Sequence, residues 1–308
     1  KISQKIEATM NYILDNYFGF GDNIYHIPFV HKLAQQGEVF IYTPFPEMFQ
    51  FPNVYCLKPV TNLKLQNENM TNNGLYSNSS GHKPNGNRLR FNYGEGFKKG
   101  LTIMQSFEKM IPLGDDWFFE FTPKPSKQAE GIAARARHSK KKLCVVRLPS
   151  VRKEWACPSR MPLMEYFQIC IDFVRQNYYI VSVGDIGNQE EFTGPEPFGI
   201  DEKRDRHFVN HFGIWDVFDL LNKADLVISP QCNILPMCQI LRKKSFFIYG
   251  GYVPHAPLND PRFYQVGFVE PNPFCFCIRN GQDGHRCNKE IPQDILLSKL
   301  HETIKRQE

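Results

Sequence analysis

The chain reads as an α/β protein made of two doubly wound, Rossmann-like parallel sheets facing a cleft, and three observations predict this. Short runs rich in Val, Ile, Phe and Tyr alternate with stretches of helical period in both halves of the sequence. Those runs are continuously apolar, as parallel strands covered on both faces are. The 308 residues also exceed one ordinary core, which suggests two domains of roughly 150 residues each. The boundary is expected at 140/141.

The first half opens with a strand over 11–17, followed by Gly19-Phe20-Gly21-Asp22 and a helix over 24–36 that contains Pro28 and stops at Gly37. Glu38 to Tyr42 is a strand and Val54 to Leu57 another. Residues 66–88, rich in Asn, Ser and Gly, break the alternation and are expected to form a long functional or disordered loop. A helix returns over 100–110 with Leu101, Met104, Phe107 and Met110 on one face.

The second half begins with a strand over 142–148. It continues with a helix over 164–176, a strand over 178–183 ending at Gly184, and a helix over 214–224. A strand over 225–229, a helix over 234–241, a strand over 245–249 stopping at Gly250-Gly251, and a closing helix over 292–305 complete it. In open parallel sheets ligands bind beyond the carboxyl ends of the strands, so the residues after each strand are the candidates for chemistry.

Composition narrows the classes. Hydrophobic residues make up 42% and aromatics 14%, enough for packed interiors, and no uncharged apolar run reaches the ~18 residues of a membrane span. The start of the sequence is polar and lacks the apolar segment of a secretory signal. Nine cysteines in so long a chain do not look like a disulfide scaffold, and a reducing, cytoplasmic setting is expected. The sequons at Asn69 and Asn78 lie in the Asn-rich stretch and carry no weight. The net charge is +5, with Arg135, Arg137, His138, Lys140, Lys141 and Lys142 forming a basic run. It reads as a solvated interdomain linker, or as a collector of phosphates on a polyanion.

The turn Gly19 to Asp22 puts two glycines and a carboxylate between a strand and a helix. Glycine lets a ligand approach the backbone, and Asp22 serves either as a helix cap or as a base. Gly19, Gly21, Asn23 and His26 are the acceptor-side candidates. In the second half, Arg147, Arg152 and Lys153 offer charge, and Gly184 and Gly250 end strands. Gln231, Cys232 and Asn233 precede a helix, with Asn233 its expected N-cap, and Glu270 is placed to accept hydrogen bonds from a ribose. Cys275, Cys277, His285 and Cys287 could complete a zinc tetrahedron, but Cys-X-Cys is tighter than usual spacing, and no metal is expected. His207 and His211 lack the glutamate of a metalloprotease helix and read as structural.

The order of Gly19-Phe20-Gly21-Asp22, Pro28, Arg147-Leu148-Pro149-Ser150, Ala224 to Ser229 and Lys244 to Gly250, with late cysteines, resembles the heptosyltransferase-like glycosyltransferases of the GT-B fold. The resemblance implies an N-terminal domain over 1–140 that binds the acceptor and a C-terminal domain over 141–308 that holds a nucleotide-sugar. It also implies Asp22 as the base of an inverting, metal-independent transfer to a saccharide, with no cofactor besides the sugar nucleotide. No Asp-X-Asp triplet is present to hold a metal. The family's Asp-Ser/Thr-Gly-X-X-His donor loop is here Ser229-Pro230-Gln231-Cys232-Asn233, without the Gly or the His, so the donor stays open. Two alternatives stand beside it. One is a DNA glycosyltransferase acting on hydroxymethylated bases; the other is a catalytically silent protein that binds sugar nucleotides or nucleic acid.

Overall fold

The computed structural model describes residues 10–15, 18–77, 85–113, 121–152, 157–183, 191–193, 213–260, 265–277 and 287–306. Backbone contacts divide the chain into two compact units, Lys1–Phe119 and Glu120–Glu308.

The first unit contains β1 (Met10–Asp15), α1 (Phe20–Ala34), β2 (Gly37–Tyr42), β3 (Val54–Leu57), α2 (Lys64–Asn72), β4 (Asn87–Arg90), α3 (Gly94–Lys98) and α4 (Ile103–Glu108). Its sheet has the order β3-β2-β1-β4, with every pairing parallel. The chain starts in β1, moves one way to β2 and β3, and returns to the other side as β4. The order therefore reverses at β1, and a crevice opens between the carboxyl ends of β1 and β4.

Two expectations change here. Helix α1 starts at Phe20, earlier than Ile24, because the Asn23 amide reaches back to the Gly19 carbonyl at 3.1 Å and closes the first turn. Pro28 lies buried inside this helix. The stretch 66–88 is not simply a loop, since it holds most of α2 and begins β4. Its polar side chains do the anchoring: Gln66 Nε2 donates to the Phe18 carbonyl at 2.7 Å, Asn69 Nδ2 to the Pro44 carbonyl at 2.5 Å, and Asn73 Nδ2 to Glu47 Oε2 at 2.9 Å. Met70 adds an apolar contact to the interior.

The second unit contains α5 (Lys127–His138), β5 (Lys142–Val146), β6 (Ser150–Arg152), α6 (Met164–Val174), β7 (Tyr178–Ser182) and β8 (Glu191–Thr193). It continues with α7 (Ile214–Lys223), β9 (Leu226–Pro230), α8 (Ile234–Ile240), β10 (Ser245–Ile248), β11 (Gly267–Val269) and α9 (Gln293–Lys305). Five strands form a parallel sheet in the order β11-β10-β9-β5-β7, while β6 and β8 pair antiparallel by themselves. Here the order reverses at β5, which places the crevice between β5 and β9. Buried Cys144, Val146, Phe167, Cys170, Ile228, Phe246 and Leu296 share its core with the helices α6 and α9.

The basic run is not a linker. Arg135, Arg137 and His138 lie on α5, and Lys142 begins β5. The start of α5 is tied to α7, since Ser126 Oγ donates to Asp216 Oδ1 at 2.5 Å and the Ser126 amide to Asp219 Oδ2 at 2.7 Å. These bonds place α5 in the second unit and move the division from 140/141 back to 119/120.

Candidate active site

Asp22 sits in the first turn of α1, beyond the carboxyl end of β1. Its Oδ1 accepts a 3.0 Å hydrogen bond from the Tyr93 hydroxyl, and Tyr93 follows the carboxyl end of β4. The bond thus spans the crevice of the first sheet. An acidic side chain in a first helical turn also gains from the exposed amides and dipole there. Gly19 explains the other side of the carboxylate, because a Cβ on Gly19 would collide with Asp22 Oδ2 and stand 3.4 Å from its Cγ. The space that glycine leaves is filled by Asp22 itself, not by an approaching acceptor. Gly21 lies next to it in the first helical turn, half-buried.

Two acceptor-side candidates belong to the interior instead. Asn23 is fully buried, donates to the Gly19 carbonyl at 2.7 Å and accepts from Thr43 Oγ1 at 2.7 Å. It locks the Asp22 turn onto the end of β2. His26 is fully buried and stacked on Phe91 at 4.4 Å, and burial pushes its imidazole down to about 3, so it is neutral. Neither faces an acceptor.

In the second unit Arg147 directly follows β5, half-buried, with its amide donating to the Ile228 carbonyl of β9 at 2.9 Å. Across the same crevice, Gln231 follows β9. Its side chain is 8% exposed, and its Oε1 has no hydrogen-bond partner among the described residues. A buried amide oxygen in that state costs about 1–3 kcal/mol, which a ligand hydroxyl or amine would offset. Cys232 is already engaged, since its Sγ accepts from the Ile234 amide at 3.5 Å and contacts Ser229 Oγ at 3.3 Å. Asn233 occupies the N-cap position of α8 but makes no capping bond with its side chain. The sulfur takes the role expected of the amide.

Glu270 follows β11. It is partly buried, which raises its carboxyl above the usual range, and its Oε1 accepts from the His255 amide. His255 is stacked on Phe268 at 3.8 Å, and its Nδ1 lies 2.8 Å from the Tyr249 hydroxyl. Burial pushes its imidazole down to about 4. A cavity of about 250 Å³ lined by Phe268, Glu270, Ile295, Lys299 and Arg306 lies beside this group.

Gly250 is required by packing, because a Cβ there would stand 2.5 Å from the Ser159 and Arg160 carbonyl oxygens. Arg152 lies on β6, opposite Glu191 of the small antiparallel pair, and not on the parallel sheet. Lys153, Gly184, His207, His211 and His285 lie outside the described residues. Cys275, Cys277 and Cys287 do converge, with their Sγ atoms all within 4.8 Å of one another.

The sequence does not single out Tyr93, Thr43 or His255. Tyr93 follows β4, a strand inside the Asn-rich stretch; the apolar Leu89 and Phe91 alternating with arginines are the signal that marks it.

Solved glycosyltransferases align with this chain over nearly its whole length. The ADP-heptose LPS heptosyltransferase II of E. coli aligns with a TM-score of 0.58 at 10% identity, covering 96% of this chain and 98% of that one. A glycosyl transferase of family 9 from Veillonella parvula gives 0.57 at 12% identity, with 96% and 97% covered. The chain has the GT-B glycosyltransferase fold. The iron-containing dodecameric glycosyltransferase TibC from enterotoxigenic E. coli aligns with a TM-score of 0.57 at 11% identity, covering 96% of this chain and 77% of that one. No protein-family model matches the sequence, and no curated protein does. No helix among the described residues is long and apolar enough to cross a membrane.

Proposed function

We propose that the protein is a glycosyltransferase of the heptosyltransferase type, which transfers a sugar from a nucleoside-diphosphate sugar to a hydroxyl of a saccharide acceptor. The shared fold supports the class, and the Asp22 carboxylate at the switch crevice of the first sheet carries the reading. The acceptor oxygen attacks the anomeric carbon while Asp22 takes its proton. The bond from that carbon to the diphosphate breaks, and the nucleoside diphosphate leaves with the electron pair. Attack from the face opposite the leaving group inverts the anomeric centre. A hydroxyl is a poor nucleophile, and a carboxylate within hydrogen-bond reach contributes ~10²–10⁴-fold.

Tyr93 holds Asp22 in one rotamer, and Asn23 with Thr43 holds the turn beneath it. In the second unit Arg147 is the charge for the departing diphosphate, a role that needs no metal ion. Gln231 accepts from a donor hydroxyl or amine, and Glu270 from the ribose. Arg152, Lys153 and Gly184 are kept as flanking donor contacts on the strength of the sequence alone. Nothing in the structure adds to the case for a DNA acceptor, since the basic run that suggested it is divided between α5, the turn after it and the start of β5, and Arg137 pairs with Glu130 at 2.6 Å.

The decisive experiment screens nucleoside-diphosphate sugars for thermal stabilisation. It then follows nucleotide release and product mass with saccharide acceptors for the wild-type chain and Asp22→Asn. The proposal requires turnover that Asp22→Asn abolishes while donor stabilisation persists. Stabilisation without turnover on any acceptor identifies a silent binding protein instead.

A further inference from the structure

We infer that Cys275, Cys277 and Cys287 form a three-thiolate site for a thiophilic divalent cation, zinc or ferrous iron, that staples the segment after β11 to the segment before α9. The three side chains come from two separate stretches, Cys275 and Cys277 after β11 and Cys287 before α9, yet their Sγ atoms all lie within 4.8 Å of one another. Metal–sulfur bonds of about 2.3 Å in a tetrahedron set sulfur atoms roughly 3.8 Å apart, so the cluster needs only a small contraction to close on an ion. Thiolates select zinc and iron over the hard cations that prefer oxygen.

The surroundings are built to hold these side chains. Gly251 underlies the cluster, where a Cβ would collide with Cys287 Sγ and stand 3.2 Å from the Cys287 Cβ and 3.3 Å from the Cys275 Cβ. The Gly251 carbonyl accepts from the Cys277 amide at 3.0 Å, and the Gly251 amide donates to the Ser159 carbonyl at 2.8 Å. The glycine thereby fixes the Cys-X-Cys segment from below. Cys277 is fully buried, whereas Cys275 and Cys287 are partly exposed, which leaves an open side for a fourth ligand.

Charge balance also fits. Three thiolates and a divalent cation carry one net negative charge, and the Lys289 ammonium stands beside Cys287, Cys277 and Cys157, with its Nζ donating to the Pro158 carbonyl at 2.6 Å. Three other thiols contrast with this group. Cys144 and Cys170 are part of an apolar core, and Cys56 lies in the first unit. A bound ion would tie together the chain on the two sides of residues 278–286, where both pack on Gly251 after β10. Because Cys275 lies shortly after Glu270, it would also steady that carboxylate.

The test uses the full chain, purified anaerobically with reductant from cells supplied with zinc and iron, and counts metal by elemental mass spectrometry. One equivalent of zinc or iron is expected, the ratio telling which. Cys275→Ser and Cys287→Ser should each lose the metal while far-UV circular dichroism stays that of wild type, and Cys56→Ser should keep it. A measurement free of any folding defect is cobalt titration of the chelator-stripped wild type. It should develop thiolate-to-cobalt charge-transfer absorption that saturates at one equivalent. Metal-free purified protein that shows no such absorption overturns the inference, as does full metal content in both serine variants. A disulfide between any two of these cysteines in the anaerobic protein overturns it as well.

Discussion

The two switch-point crevices share a topology and differ in chemistry. In the first sheet the order reverses at β1, and the crevice is bridged by a carboxylate and a phenol, Asp22 and Tyr93. In the second it reverses at β5, where the half-buried Arg147 follows the strand, and a buried amide oxygen on Gln231 has no partner among the described residues. On the proposed reading the first crevice takes the proton, with the Asp22 carboxylate held by Tyr93. On the same reading the second crevice receives anionic and hydroxyl-bearing groups, the latter at Gln231 Oε1. The same fold thus supplies two positions, and the side chains at the strand ends give each its own chemistry.

The sharpest way to break this contrast is Asp22→Asn, which should lower kcat by ~10²–10⁴ with the donor KM unchanged. Wild-type turnover in that variant would remove the proton-taking role from the first crevice.

Acid tests the next layer, because each unit buries a neutral histidine. His26 is held at about 3 and His255 at about 4, below the ~6.5 of an unfolded histidine. Between those values the unfolded chain binds more protons, so the stability these burials confer is complete above pH ~6.5 and is lost as pH falls toward 3. A loss on the order of a few kcal/mol is expected for His26. Urea unfolding between pH 7 and 4 measures it, and His26→Phe should flatten the slope; an unchanged slope would place His26 outside the core.

Gln231→Met sharpens the second crevice. Replacing an unsatisfied buried amide with an apolar chain of similar length should raise stability by about 1–3 kcal/mol while weakening donor binding. Loss of stability would mean that the amide serves the fold. Gly19→Ala should push the Asp22 carboxylate out of place, reducing kcat and costing about 1 kcal/mol of stability by thermal melting. Tyr93→Phe removes one hydrogen bond to the Asp22 carboxylate and should lower kcat only several-fold with donor KM intact.

Strands buried on both faces were legible because a short, continuously apolar run bounded by turn residues is hard to place anywhere but inside a covered sheet. β3 is predicted and found over the same residues, and β5, β7, β9 and β10 differ from expectation only at their ends. The Asp22 turn was legible for a related reason, since glycine and a carboxylate between strand and helix leave few conformations open. Helix α2 was not, because its Asn-rich sequence has weak helical preference and is secured by side-chain bonds to Phe18, Pro44 and Glu47. Helix α5 was hidden by charge: its small apolar face of Ala129, Ile132, Ala133 and Ala136 is outnumbered by polar groups.

Period, length and strand-end residues, all local properties, determined the α/β class, the two-part organisation and the place of Asp22. Which side chains face a crevice was decided only by tertiary structure. Asn23 and His26 lie within four residues of Asp22 yet turn into the interior, and Tyr93 meets Asp22 from far along the chain. Helical rotation sends neighbours to different faces, and parallel pairing of β1 with β4 brings distant residues to one edge. Neither effect is visible until the strands are in register.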